Sequence, residues 1–390
     1  MAGVTQGERS APRGLSLLLM MAMAVALLPL FLIGALAPYL VREFDLSAPL
    51  LGALVTVGYG GAAVLSLVIG SAASAVGPRY CLVAVFGISI VVLTLFAGAG
   101  SYGWLVAAIA VSALGQSLAN PATNQLIATW VPLTRRAGAT GLKQSGVQLG
   151  GVIAGLPLAM VAASSGWRVA VGVGGALAAA LAATALWVVP RDPAVVRSTS
   201  RRAARASRDA VWLAAFSVFV GAGIAAVSTY VALYASTQLA LSTTVASSLV
   251  AALGAAGVAG RLGWAGVASR RSSPASLLAP LAAVSVLAAG VLAASAWWGA
   301  AWLWVGVIGV GGCAVAANAV SMITVIARSR PEAVGHDTAV VSAGFFSGYA
   351  VGPPAIGALA ELAGRYQPGW FVVAGCFACA AVLAFFWQHR

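Results

Sequence analysis

The sequence predicts an all-α membrane protein, twelve transmembrane helices arranged as two six-helix bundles. Three observations carry that prediction. First, of 390 residues 61% are hydrophobic and 7% charged, against about 25% charged in a soluble domain; a soluble chain of this length has no interior large enough for so much apolar surface. Second, the chain divides at charges, Pro/Gly turns and polar clusters into twelve apolar runs, most of them near the roughly 20 residues a spanning helix needs. Third, one long polar stretch, PRDPAVVRSTSRRAARASRD from Pro190 to Asp209, leaves six runs on each side.

The elements follow in order. The polar start MAGVTQGERSAPRG leads into a long apolar run that ends in Arg42-Glu43 with no small-residue cleavage site, so it reads as an uncleaved first span rather than a signal peptide. Spans 1–6 are expected at 15–40, 49–73, 79–100, 103–129, 137–162 and 167–189. Spans 7–12 are expected at 211–236, 243–268, 275–297, 299–326, 336–361 and 369–387. The organisation is then an N-terminal bundle over 1–189, a basic linker over 190–209 with six arginines, and a C-terminal bundle over 210–390. The linker is read as a solvated segment, with a short basic amphipathic helix on the membrane surface as the alternative.

Sixteen loop arginines fall on the side of the termini and linker, against Arg42, Arg168 and Arg365 on the other. By the positive-inside rule, both termini and the linker are cytoplasmic in a multi-pass inner-membrane protein. Trp104, Trp167, Trp297, Trp298 and Trp370 fall near span ends, where interface anchors belong. This distribution accounts for the net charge of +13 without nucleic acid. A shift of 198 residues brings Asn120 onto Asn318, Thr140 onto Thr338, Gly146 onto Gly344 and Gly150 onto Gly348, which favours an internal duplication.

With this layout the chain resembles the major facilitator superfamily. The turn after span 2, GSAASAVGPR, keeps Gly70, Gly77 and Arg79 of that family's pattern, with Ser74 and Ala75 where Asp and Arg are usual. The turn after span 8, GRLGWAGVASRR, keeps Arg270 and Arg271, with Ser269 in place of Asp. In span 5, GVQLGG keeps Gly146, Gly150 and Gly151 of an antiporter pattern and has Val147 for Pro. The resemblance implies the major facilitator fold, alternating access between two bundles, a substrate near the midplane, and spans 5 and 8 on opposite sides of the cavity.

Charge inside the spans points to the site. None of the eight acids lies in the middle of an expected span, and two bases do, Lys143 in span 5 and Arg261 in span 8. A charge at that depth costs at least about 2.5–3.5 kcal/mol. At about 1.5 Å per residue, Lys143 lies on the order of 10 Å above Arg136, and Arg261 on the order of 13 Å above Arg270. Both bases therefore reach similar levels, where a bound anion could satisfy them together. Two other readings stay open: Lys143 reaching out to the interface, and Arg261 gripping backbone carbonyls as a gate.

Neutral polar residues extend the candidate binding set. Asn120 and Asn124 share a stripe with Gln116 on span 4, Gln144 and Gln148 share one with Thr140 on span 5, and Asn318 and Tyr230 lie on spans 10 and 7. Lipid cannot satisfy such groups, though they could equally bond helix to helix. Gly146 and Gly150, and Gly348 and Gly352 after Gly344, recur every four residues and are read, with Gly70, Gly77 and Arg79, as packing and gating positions.

No P-loop, metal-ligand cluster or nucleophile motif appears, so the chain is read as no enzyme, with no metal and no cofactor. The expected function is secondary active transport of a small organic anion, a mono- or dicarboxylate, by a monomer in the lipid bilayer, with a coupled proton or counter-anion. The alternative is drug or metabolite efflux, which for cationic drugs usually uses an embedded acid.

Overall fold

In a computed structural model of the chain, twelve helices among the described residues are long and apolar enough to cross a membrane. The structure describes residues 12, 14–190, 206–271, 273–330 and 333–388, and the side chains of these apart from 67–75, 133, 137 and 335. The linker, read as solvated with a surface helix as the alternative, falls mostly outside the described residues, as do the side chains around Gly70.

Spans 1–6 are Leu15–Ala35, Ala48–Val76, Pro78–Ala97, Tyr102–Trp130, Leu133–Ile153 with its continuation, and Trp167–Val188. Spans 7–12 are Arg208–Thr237, Thr243–Ser269, Pro274–Trp298, Ala300–Arg328, Val334–Ala363 and Gln367–Gln388. Span 1 stops five residues short of the expected 40, because Leu36 leaves helical geometry and Pro38 starts a separate short helix, Ala37–Phe44. Span 5 continues through a π-turn, Ala154–Leu158, into Ala159–Ser165; Pro157 offers no N–H there, which removes one α-type bond.

Local chemistry sets the ends. Ser101, Ser207 and Ser242 accept from the backbone N–H of Trp104, Ala210 and Val245 and so cap spans 4, 7 and 8. The turn between spans 2 and 3 needs Gly77 at φ 96, a conformation a side chain would strain.

Within each half the glycine rows act on backbone. A Cβ on Gly146 or Gly150 would run into the carbonyls of Met20 or Ala24 on span 1. A Cβ on Gly344, Gly348 or Gly352 would run into those of Ala214, Val218 or Ala222 on span 7. Span 5 therefore lies on span 1 as span 11 lies on span 7, which is the duplication seen in three dimensions. Met20 precedes Ala214, and Ala24 precedes Val218, by the same 194 residues, and that offset also carries Gly34 onto Ser228. Gly34 and Ser228 touch, closely enough that a Cβ on Gly34 would overlap the Ser228 carbonyl.

One face carries the described chain ends. There Arg79 donates to the Leu186 carbonyl at 2.7 Å, capping span 6, and Trp387 donates to Asp209 at 3.0 Å. On this terminal face Asp337 ties three spans of the second half. It accepts from the Ser207 N–H at 2.9 Å and the Ser329 hydroxyl at 2.6 Å.

The two halves are pinned together toward the opposite, distal face. Thr56 on span 2 donates to the Ala350 carbonyl on span 11, and Ser247 on span 8 donates to the Ala35 carbonyl at 2.6 Å. Span 5 meets span 8 where Gly155 lies against Ser247 and Ala251, and Gly254 against the Gln148 carbonyl.

The tryptophan expectation needs correction. Trp104, Trp297 and Trp298 are exposed, as interface anchors should be, but Trp167 and Trp370 are buried. Trp167 packs against Phe44 and Phe96 and donates to Glu43. Trp370 stands edge-on to Tyr234. Position near a span end does not reveal which side of the helix faces protein.

Arg168 completes the Trp167 cluster on the distal face, donating to Glu43 and to the Ala99 carbonyl. Burial alone would raise the Glu43 pKa; the hydrogen bonds from Trp167 and Arg168 and the Arg168 charge outweigh it and hold the carboxyl below the usual glutamate range. A carboxyl depressed in the folded state stabilises fully above its unfolded pKa and loses that contribution as pH falls through the folded one. Thermal midpoints of the purified protein should therefore drop as pH falls through and below the ordinary glutamate range. Glu43→Gln should lower the neutral-pH midpoint and flatten that drop; an unchanged pH profile would count against the cluster.

Candidate functional site

Lys143 lies in the third turn of span 5, and the first turn is anchored by Arg136. The Arg136 guanidinium donates to the Val131 and Ala128 carbonyls at 3.0 and 2.5 Å, capping span 4 and fixing the turn into span 5. This capping brings the two polar stripes together. Lys143 Nζ donates to Asn124 Oδ1 at 2.7 Å and to Asn120 Oδ1 at 3.0 Å. Asn120 and Asn124 are one helical turn apart on span 4, so both amides reach one ammonium.

Lys143 is wholly buried and turns to span 4 rather than out to an interface. Its two partners are neutral. An ammonium has three donors, and two are taken. No salt bridge to Lys143 or Arg261 is found among the described residues.

The seam between spans 5 and 8 delivers the second base. The Gln148 amide lies over Gly257, whose Cβ, if present, would meet the Gln148 side chain at 3.2 Å. One turn nearer the terminal face on each helix stand Arg261 and Gln144. Arg261 is close enough to act electrostatically on Lys143 and on Tyr349 of span 11. Arg261 Nε is buried and has no hydrogen-bond partner among the described residues. Asn318 Oδ1, on span 10, is likewise buried without one. Unpaired buried polar atoms of this kind are rare and costly.

The structure thus brings Lys143, Asn120, Asn124 and Arg261 into one neighbourhood, with Gln148 and the half-buried Gln144 on the adjoining turns of span 5. Tyr230 stands apart. Its hydroxyl lies 2.8 Å from both the Ala48 and Pro353 carbonyls, bridging the halves in the distal seal. Gly146, Gly150, Gly348 and Gly352 pack helices inside each half; the glycines where the halves meet are others, including Gly34, Gly52, Gly155 and Gly254. Arg79 belongs to the terminal face of the first half. Tyr349 escaped the sequence reading, because GFFSGYAVG drew attention to its glycine spacing while the aromatics beside the glycines carried the signal.

The arrangement can do one thing chemically: offer a desolvated, positively charged and donor-rich surface, shared between the halves, to a group that accepts hydrogen bonds. Among the described residues no group of three or more His, Cys, Asp or Glu side chains is placed to hold a metal.

Comparison with known proteins agrees with the fold. The family described as Major Facilitator Superfamily matches residues 19–336. A stretch of 138 residues is 29% identical to the Hexuronate transporter of Bacillus subtilis (strain 168); it makes up 34% of this chain and 32% of that protein, so the match spans about a third of the relative's length. Among solved structures, a bacterial homolog to the human lysosomal transporter Spinster, in an inward-facing and occupied conformation, is similar with a TM-score of 0.79 and 17% identity over 96% of each chain. The nucleoside transporter NupG is similar with a TM-score of 0.72 and 16% identity, over 96% of this chain and 99% of that one. At these identities the likeness is one of fold.

The Lys143–Asn124 hydrogen bond is testable by a double-mutant cycle. Asn124→Leu should destabilise the wild type more than it destabilises Lys143→Met. The coupling should be about 1.5–3 kcal/mol, the value of a hydrogen bond to a charged group. Equal losses in both backgrounds would remove the interaction from the account.

Proposed function

We propose that this chain, which belongs to the major facilitator superfamily, is a secondary active transporter that carries a small organic anion across the cytoplasmic membrane by alternating access. One observation carries the reading: Lys143, wholly buried, and Arg261, half-buried with its Nε covered, come one from each half and share a neighbourhood in which, among the described residues, neither has an acidic partner and Arg261 Nε has no hydrogen-bond partner. The mono- or dicarboxylate is the natural ligand. Its oxygens take the third Lys143 donor and the Arg261 fork, and each such charge-assisted bond is about twice as strong as a neutral one. Asn120 and Asn124 hold the ammonium in place, and Gln144, Gln148 and Asn318 are the neutral groups that complete the fit. The substrate in the name of the Bacillus subtilis relative, a hexuronate, is a carboxylate, which supports the same class.

The moving units are the bundles 1–189 and 210–390, joined by the linker 190–209. With the halves pinned at the distal face, the bases are reached from the terminal face. The arginine bias of the loops supports a cytoplasmic side for that face, both termini and the linker. A monomer suffices, since the site is complete within one chain. Inward movement of one anion against a negative interior costs about 2.3 kcal/mol per 100 mV. Import therefore needs a coupled proton or an exchanged anion.

The test is a thermal-shift panel of small carboxylates and cationic drugs on purified protein, followed by flux in proteoliposomes. At least one carboxylate should stabilise the wild type. Lys143→Gln and Arg261→Gln should each lose that stabilisation and the flux while remaining folded. Stabilisation by bulky cations or neutral drugs alone, equal in all three proteins, would replace this reading with drug or metabolite efflux.

A further inference from the structure

Between the two bases and the distal seal lies a group of aromatic rings that the anion reading leaves unused. Tyr59 of span 2 and Tyr349 of span 11 meet across the halves, with ring centroids 4.5 Å apart and tilted by 57°. Phe346 stacks on Tyr59 at 6.0 Å and 26°, and Phe345 lies 4.7 Å from Tyr349. The two tyrosines are almost wholly covered, while Phe346 is half-buried. Tyr349 also lies within electrostatic reach of Arg261. Neither the Tyr59 nor the Tyr349 hydroxyl has a hydrogen-bond partner among the described residues, in contrast to Tyr230 and Tyr234, whose hydroxyls are both engaged.

A wall of flat rings beside a positive charge discriminates by shape. A ring laid on it gains offset or edge contacts beyond simple area burial. A flexible chain of equal size would have to freeze its rotamers to do the same. The two free hydroxyls add donors for oxygen substituents on such a ring. One tyrosine comes from each half, so a ring laid on the pair would touch both.

We propose, on the footing of the anion reading above, that Tyr59 and Tyr349 form the specificity-determining face of the site and that the transported anion is a ring-bearing carboxylate, with its carboxylate on Lys143 and Arg261 and its ring against the tyrosine pair. A hydroxylated ring and a bare ring share this chemistry, and four probes separate them from each other and from open chains: glucuronate, gluconate, cyclohexanecarboxylate and hexanoate.

Each is titrated by thermal shift into the full-length wild type, Tyr59→Leu, Tyr349→Leu, Tyr349→Phe and Lys143→Gln. In the wild type, at least one ring probe should bind about three- to tenfold more tightly than its open-chain counterpart. Both leucine variants should abolish that preference while still binding the open chains. Tyr349→Phe should weaken a preference for glucuronate and leave one for cyclohexanecarboxylate intact, which identifies the ring type. Equal binding of ring and chain in the wild type, or a preference that survives both leucine variants, overturns the proposal; sensitivity to Lys143→Gln then leaves the anion reading standing. If none of the four stabilises the wild type, the proposal falls, and if the wider carboxylate panel is also silent, the anion reading falls too. Should the leucine variants fail to fold, the wild-type ratio and Tyr349→Phe decide.

Discussion

Hydrocarbon offers no hydrogen bonds, so every polar group within the spans must be met by the protein itself or by what the protein carries. This constraint organises the structure. Ser89, Thr123, Thr229, Ser285 and Thr324 return their hydroxyls to carbonyls one turn back on their own helices. Arg136 and Arg79 spend their guanidinium donors on the ends of spans 4 and 6. Lys143 is met by two amides. Among the described residues Arg261 Nε and Asn318 Oδ1 are buried without a partner, as are Ser217 Oγ and Trp370 Nε1; of these, Arg261 alone carries a charge.

Much of the fold was legible because composition and run length respond to the membrane directly. Twelve runs, the central basic stretch and the glycine spacing all reflect constraints that act on one helix at a time. Lys143 and Arg261 were legible for the same reason, since a charge inside an apolar run is conspicuous without any knowledge of its neighbours. Pairings were not legible. Whether Gly150 or Gly155 lies between the halves depends on which face of span 5 meets span 1 and which meets span 8, and both are glycines in an apolar run. Tyr230 looked like a ligand because a hydroxyl in a span needs a partner; that partner proved to be the distal seal. Trp167 looked like an interface anchor until Glu43, more than a hundred residues earlier, supplied an acceptor for its indole.

The duplication was faintly visible in the sequence as an offset of 198 residues between spans 5 and 11. In the structure the offset between spans 1 and 7 is 194, so the intervening turns differ in length while the packing is kept. Side chains diverged and backbone contacts did not. The carbonyls that face Gly146 and Gly150 on one side and Gly344 and Gly348 on the other belong to Met20, Ala24, Ala214 and Val218, which share little chemistry. A carbonyl is indifferent to its side chain, and close approach asks only that the opposite residue lack a Cβ.

Gly34 and Ser228 are equivalent positions of the repeat, and they touch each other. Equivalent residues can meet only beside the axis that relates the halves. A point beside that axis has almost no lever arm. If one half rocks against the other, this contact acts as a fulcrum, staying nearly still while displacement grows with distance along each bundle. Lys143 and Arg261 sit well down those arms, so a tilt of a few degrees, too small to disturb Gly34, would open or close the gap between them by a distance on the scale of a hydrogen bond. In such a motion the missing side chain at position 34 would act as a bearing, letting the halves meet closely at the point that moves least.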